Sequence, residues 1–149
     1  MRTVRFHELE SLVGEELGSS EWHLIDQERV NAFAEVTGDH QWIHVEPERA
    51  AAGPFGGTIA HGYLTLSMLP ALMAEVWRVE DVRMGINYGL NRVRFPSPVP
   101  VGSHVRVVGR LKEATPIEGG VQGVVEATVE VEGGAKPVCV AETVFRLYT

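Results

Sequence analysis

The segment Gly38-Asp39-His40-Gln41-Trp42-Ile43-His44 sets a carboxylate and an imidazole five positions apart. An ionised carboxylate only accepts hydrogen bonds, whereas an imidazole accepts or donates near neutral pH; together they can hold one water and move its proton. No other stretch of the chain offers an acid/base set as compact. Each residue also has a plainer reading: Asp39 as a turn or capping residue after Gly38, and His44 as a surface or satisfied core histidine. Ile43 and Val45 flank His44, which points to a partly desolvated ring whose protonation is tuned by its surroundings. The segment itself reads as irregular rather than helical.

A second set lies at Ala60-His61-Gly62, where a strongly apolar helix is expected to begin. A helix start presents unpaired N–H groups and the positive end of a dipole, so a carbonyl placed there is stabilised as it becomes an enolate. Gly62 either admits that carbonyl to the backbone or is a packing glycine. Ser67, expected to be buried further along the helix, either bonds the Tyr63 carbonyl or orients Asp39. No nucleophile elbow surrounds it. Arg92 and Arg94 alternate with Val93 and Phe95 along a strand, suited either to solvent or to a ligand's phosphates.

The elements that must position these residues are legible in outline. Asp26 reads as the cap of a helix in which Val30, Phe33 and Ala34 share one face, and Gly38 as its C-terminal stop. Pro47 suits the first turn of a short helix through Ala52, and Gly53-Pro54-Phe55-Gly56-Gly57 forces a loop. From His61 to Trp77, apolar residues at Tyr63, Leu64, Leu66, Met68, Leu69, Leu72, Met73 and Val76 cover almost every helical direction, which predicts a buried helix. Pro70 predicts a kink or break near Leu69.

Beyond it, strands are expected over Met84 to Phe95, Ser103 to Thr115, Val121 to Val131 and Val138 to Tyr148, with Pro96, Pro98 and Pro100 separating the first from the second. Val125, Ala127, Val129 and Val131 alternate with Glu126, Thr128, Glu130 and Glu132, the pattern of a sheet with one wet face. Helical signals up to Trp77 and strand signals from Met84 give an α+β class, with a long antiparallel sheet wrapped around a central helix.

At 149 residues, the chain reads as a single domain, 1–149, able to bury roughly 70% of its unfolded surface without a metal or disulfide. Hydrophobic residues at 44% and charged residues at 22% exclude disorder, and a net charge of -7 disfavours nucleic acid. Cys139 is the single cysteine, so a disulfide framework and a Cys-x-x-Cys motif are both excluded. The residues from Met1 to Glu8 lack the apolar core of a signal peptide, and no apolar run approaches ~20 residues. The expectation is therefore a cytoplasmic protein with no membrane partner.

The run from Phe33 to Ala50, Phe33-Ala34-Glu35-Val36-Thr37-Gly38-Asp39-His40-Gln41-Trp42-Ile43-His44-Val45-Glu46-Pro47-Glu48-Arg49-Ala50, resembles the hydratase-2 motif of MaoC-like dehydratases, the (R)-specific enoyl-CoA hydratases. The resemblance continues through Gly56 to Ser67 and through Arg92 to Val99, and so spans most of the chain. Gln41-Trp42 stands where many members carry Asn-Pro, and the string from Gly38 to His44 is similar to a subgroup related to nodulation protein N.

The resemblance implies a hotdog fold and a homodimer or higher homo-oligomer that hydrates an enoyl-CoA thioester to an (R)-3-hydroxyacyl-CoA. Asp39 and His44 would be catalytic, the Gly62 amide the oxyanion donor and Ser67 its support. Gln41, Trp42, His61, Tyr63, Arg92 and Arg94 complete the candidate substrate contacts, with Trp42, Tyr63 and Met68 shaping the acyl pocket. CoA enters as the substrate's handle, and no metal or other cofactor is required. Two rivals remain: a hotdog acyl-CoA thioesterase and a non-catalytic acyl-binding or scaffold subunit.

Overall fold

In a computed structural model that describes all residues, Met1–Thr149, the chain opens with a strand, β1 (Arg2–Arg5), and a 3-10 helix (Phe6–Leu12). Two short strands follow, β2 (Glu16–Ser19) and β3 (His23–Leu24). Helix α1 (Gln27–Thr37) starts where expected: Asp26 Oδ1 accepts the Arg29 N–H at 2.8 Å. It stops at Gly38, whose φ of 82° lies in the left-handed region and whose N–H bonds the Ala34 carbonyl at 2.9 Å. Next come two one-turn helices, α2 (Trp42–Val45) and α3 (Pro47–Ala51).

The central apolar segment forms α4 (Gly62–Ser67) and α5 (Leu69–Val76), broken at Met68. Pro70 sits in the first turn of α5, where its missing N–H costs little; it could not have continued the ladder of α4. A strand, β4 (Trp77–Glu80), then pairs in parallel with β1.

Four long strands complete the chain: β5 (Met84–Arg94), β6 (His104–Ile117), β7 (Gly120–Val131) and β8 (Cys139–Tyr148). They pair antiparallel in the order β2-β6-β7-β8-β5, with β3 also on β6. β5 is thus an edge. The alternation in β7 is realised, with Val125, Ala127 and Val129 buried and Glu126, Thr128 and Glu130 half-buried on the other face. The inward face joins Leu69, Leu72 and Val76 of α5 in one core with Val105, Val107, Leu111 and Ala141. A Cβ on Gly109 would lie 2.7 Å from Met73 Cε, so this glycine lets α5 settle onto the sheet.

Three expectations need correction. The first half is not only helical: β1 to β4 are short and lack a long alternating run, so their pairing depends on partners far along the chain. The Asp39 to His44 segment is not wholly irregular, because His44 lies within α2. The central helix is buried on one side only, with Tyr63, Ser67, Pro70, Ala71 and Ala74 exposed. Here apolar residues on a second face border an open groove of about 720 Å³ instead of packed sheet; Leu66, Pro70 and Met73 meet Ile86, Leu90 and Phe145 across it.

Candidate active site

His44 is buried at 7% exposure, and hydrogen bonds brace both its ring and its backbone. Its Nδ1–H donates to the Ile59 carbonyl at 2.7 Å, and the Ile59 N–H returns a bond to the Ile43 carbonyl at 3.0 Å. A carbonyl only accepts, so Nδ1 carries the hydrogen and Nε2 of the neutral ring keeps its lone pair. Gln27 Nε2 donates to the His44 carbonyl at 2.7 Å and to Asn31 Oδ1 at 2.9 Å, while Thr58 Oγ1 donates to Gln27 Oε1 at 2.6 Å. The start of α1 and the strand-like approach to α4 are thereby tied to the one-turn helix that carries the imidazole.

Asp39 follows the Gly38 stop and is exposed. Its Oδ1 accepts the Gln41 N–H at 3.3 Å, so the turn role is present, and its carbonyl accepts the Nε2–H of His61 at 3.0 Å. His61, buried at 3% exposure, stacks on His44 with ring centroids 3.8 Å apart and planes 24° from parallel. Phe33 of α1 closes the other side at 4.9 Å. One polar atom from each of Asp39, His44 and His61 lies within 4.8 Å of the others. Each ring already commits one nitrogen to a backbone carbonyl, which leaves one further nitrogen per imidazole near the carboxylate.

Burial holds His44 below the usual 6.5 of an imidazole, offset in part by the bond to Ile59; His61 pushes further down and the Asp39 carboxylate pulls back. A neutral ring with a free Nε2 beside a carboxylate is a pair of acceptors facing common space. Such a pair can take a proton from a bound water.

The remaining candidates are spread more widely. Gly62 is the first residue of α4, with its N–H among those a helix start leaves unpaired. A Cβ there would meet the Phe95 ring at 3.0 Å, so a larger residue would need that ring to shift. Tyr63 is exposed and meets Phe95 edge-on at 6.3 Å. Ser67 is exposed rather than buried; its Oγ donates to the Tyr63 carbonyl at 2.6 Å, and its side chain borders the apolar groove. Trp42 packs on Gly53 and under Arg49, whose guanidinium carbon lies 4.5 Å from the ring centroid.

Met68 Sδ accepts from Arg29 Nη1 at 3.5 Å. Trp42, Tyr63 and Met68 therefore stand outside the lining of the 720 Å³ groove. Gln41 is exposed beside Asp39, as are Arg92 and Arg94 on the edge strand, where Arg94 Nη1 bonds the Val93 carbonyl at 2.7 Å.

Comparison with known proteins fits this geometry. The profile of the MaoC-like domain matches residues 8–135. The chain belongs to the MaoC-like family. It is 58% identical over 140 residues to 3-hydroxyacyl-thioester dehydratase Z of Mycobacterium tuberculosis, covering 93% of each chain. It is 47% identical over 145 residues to Nodulation protein N of Rhizobium leguminosarum bv. viciae, covering 95% of this chain and 89% of the relative. Among solved structures, the unliganded R-hydratase PhaJ1 of Pseudomonas aeruginosa superposes with a TM-score of 0.72 at 26% identity, covering 91% of this chain and 81% of that one. The fold is the hotdog of MaoC-like dehydratases, and no helix is long and apolar enough to cross a membrane.

Sequence reasoning missed Gln27 and Thr58, which brace the His44 backbone in this MaoC-like chain. The available signal was position: Gln27 directly follows the capping Asp26, and Thr58 immediately precedes Ile59-Ala60-His61. Gln27→Ala strands the His44 carbonyl and the buried Thr58 hydroxyl. Urea unfolding should show a loss of about 1–3 kcal/mol, and Thr58→Val, which leaves the Gln27 to His44 bond in place, should lose less.

Proposed function

We propose that this MaoC-like chain is an (R)-specific enoyl-CoA hydratase, adding water reversibly and syn across a trans-2-enoyl-CoA to give an (R)-3-hydroxyacyl-CoA. The observation that carries the reading is the buried His44, held as a neutral ring with a free Nε2, beside the Asp39 carboxylate. Water is a weak nucleophile for the substrate's β-carbon. In this reading Asp39 and His44 grip it from two sides: one takes its proton as the oxygen bonds the β-carbon, and a proton is returned to the α-carbon on the same face.

The pair is treated as one coupled unit in which either member is the acid or the base. As the double bond shifts, negative charge moves onto the thioester oxygen, where the Gly62 N–H is the assigned donor; one such donor is worth roughly 3 kcal/mol. The thioester acidifies the α-carbon, so the residues present suffice for the proton transfers. The names of the relatives, a 3-hydroxyacyl-thioester dehydratase and an R-hydratase, support this substrate class and stereochemistry. Acyl-CoA chemistry agrees with a cytoplasmic site of action.

The assembly proposed is a homodimer joined at β5. That strand is a sheet edge whose Met84, Ile86, Tyr88 and Leu90 are exposed. An edge with unpaired N–H and C=O groups and apolar side chains invites pairing with a second copy.

Incubation with crotonyl-CoA should lower enoyl absorbance without releasing free thiol, and chiral chromatography should identify the (R) product. Thiol release would instead mark a thioesterase, and no turnover with any enoyl chain would mark a scaffold. Asp39→Asn should lower the rate at least about 100-fold with little change in melting temperature, and His44→Ala should lower it as much while still melting cooperatively, at a lower temperature because the Ile59 carbonyl loses its donor; wild-type rates in both would remove the proposed site.

The low titration of His44 also sets a pH dependence. A lowered pKa means that the lone-pair form persists to more acidic solution, so kcat/KM should stay level from neutral pH down past 6.5 and fall only below it. An acid limb centred above 6.5 would contradict this environment. Light scattering should give twice the 16.4 kDa chain mass; a monomer would reject the dimer.

A further inference from the structure

The His61 side chain touches both members of the proposed pair, and at 3% exposure it is buried against them rather than open as the substrate contact expected from the sequence. It is the residue before α4, and its own carbonyl accepts the Leu64 and Thr65 N–H groups at 3.1 and 3.3 Å. Its backbone is therefore anchored to the central helix. Its Nε2–H donates to the Asp39 carbonyl at 3.0 Å, while its face lies on the His44 ring at 3.8 Å. Because a carbonyl cannot donate, Nε2 carries a hydrogen, while the buried Nδ1 has no partner in the chain.

The two imidazoles are thus locked in opposite tautomers. His44 is protonated on Nδ1 by its bond to Ile59, and His61 on Nε2 by its bond to Asp39. A positive charge added to either ring would lie against the other ring, 3.8 Å away. Asp39 and His61 are the titratable groups that act on His44. Phe33, packed on His61 from α1, and the Ile43 and Ile59 backbone contribute no charge.

Resting on the hydratase reading for its consequence in turnover, we propose that His61 is a positioning residue for the Asp39–His44 pair. Its N–H fixes the Asp39 main chain, its ring fixes the plane of His44, and its proximity denies the pair a second proton. The two acceptors are thereby held on one water from a single rigid anchor at the start of α4. Misplacement of a reacting group by about an ångström costs on the order of 100-fold in rate, so the loss should fall on kcat more than on KM.

Two variants separate the contributions. His61→Phe keeps an aromatic plane against His44 but loses the donor and the titratable ring; His61→Gln keeps a donor for the Asp39 carbonyl but loses the stack. Both should move the midpoint of His44 titration upward, read directly by long-range proton–nitrogen NMR of the substrate-free protein. With crotonyl-CoA both should lower kcat by about 10- to 100-fold with KM within about threefold, and the acid limb of kcat/KM should shift upward with the NMR midpoint.

An unmoved His44 midpoint and an unmoved acid limb in both variants would overturn the inference, as would wild-type kcat in both. The NMR arm needs no turnover. A shifted midpoint in a protein without hydratase activity would therefore refute the proposed function and uphold the coupling. Full hydratase activity with an unmoved midpoint would do the reverse.

Discussion

Much of the site depends on one bond, from the His44 Nδ1–H to the Ile59 carbonyl. A desolvated imidazole must satisfy its N–H or lose the benefit of burial. By taking that proton, the carbonyl leaves the other nitrogen of the neutral ring as the acceptor. The bond also joins two stretches of chain that have no local reason to meet: the one-turn helix after the Gly38 stop and the segment leading into α4. Its partner bond, from the Ile59 N–H to the Ile43 carbonyl, makes the junction a short two-way ladder, and Gln27 and Thr58 buttress it from behind.

Around this junction, electrostatics and packing act in the same direction. Burial favours the neutral ring at His44, and the His61 stack adds to that preference. Two imidazolium charges about 4 Å apart would repel by about 4 kcal/mol at a typical effective dielectric, more than the carboxylate of an exposed Asp39 readily offsets. The asymmetry matters chemically. The Asp39 carboxylate is exposed and held only by the Gln41 N–H, whereas the buried imidazole is fixed in tautomer and plane.

The hotdog sheet supplies the rigid frame and leaves one side of the central helix open. α5 is seated on β6 at Gly109, yet Leu66, Pro70 and Met73 look across an apolar groove to Ile86, Leu90 and Phe145. Pro70 contributes by ending α4 at Met68, so the two helical pieces serve different neighbours: α4 carries the anchor of the site, and α5 fills the sheet. The edge position of β5 leaves Ile86 and Leu90 exposed where they border that groove.

Local chemistry was enough to read much of this from the sequence. Asp26 and Gly38 bounded α1 because capping and left-handed stops are decided by nearest neighbours. Pro70 located the break for the same reason, and the alternation in β7 assigned its wet and dry faces. The Asp39–His44 pair was legible because both residue types and their spacing lie within a single segment. Only the tertiary structure decided what depends on distant partners: the pairing of β1 with β4, the half-exposed central helix, the roles of Gln27 and Thr58, the Phe95 ring over Gly62, and the stack of His61 on His44. These contacts join residues tens of positions apart, and no periodicity along the chain records which carbonyl or which ring will lie opposite.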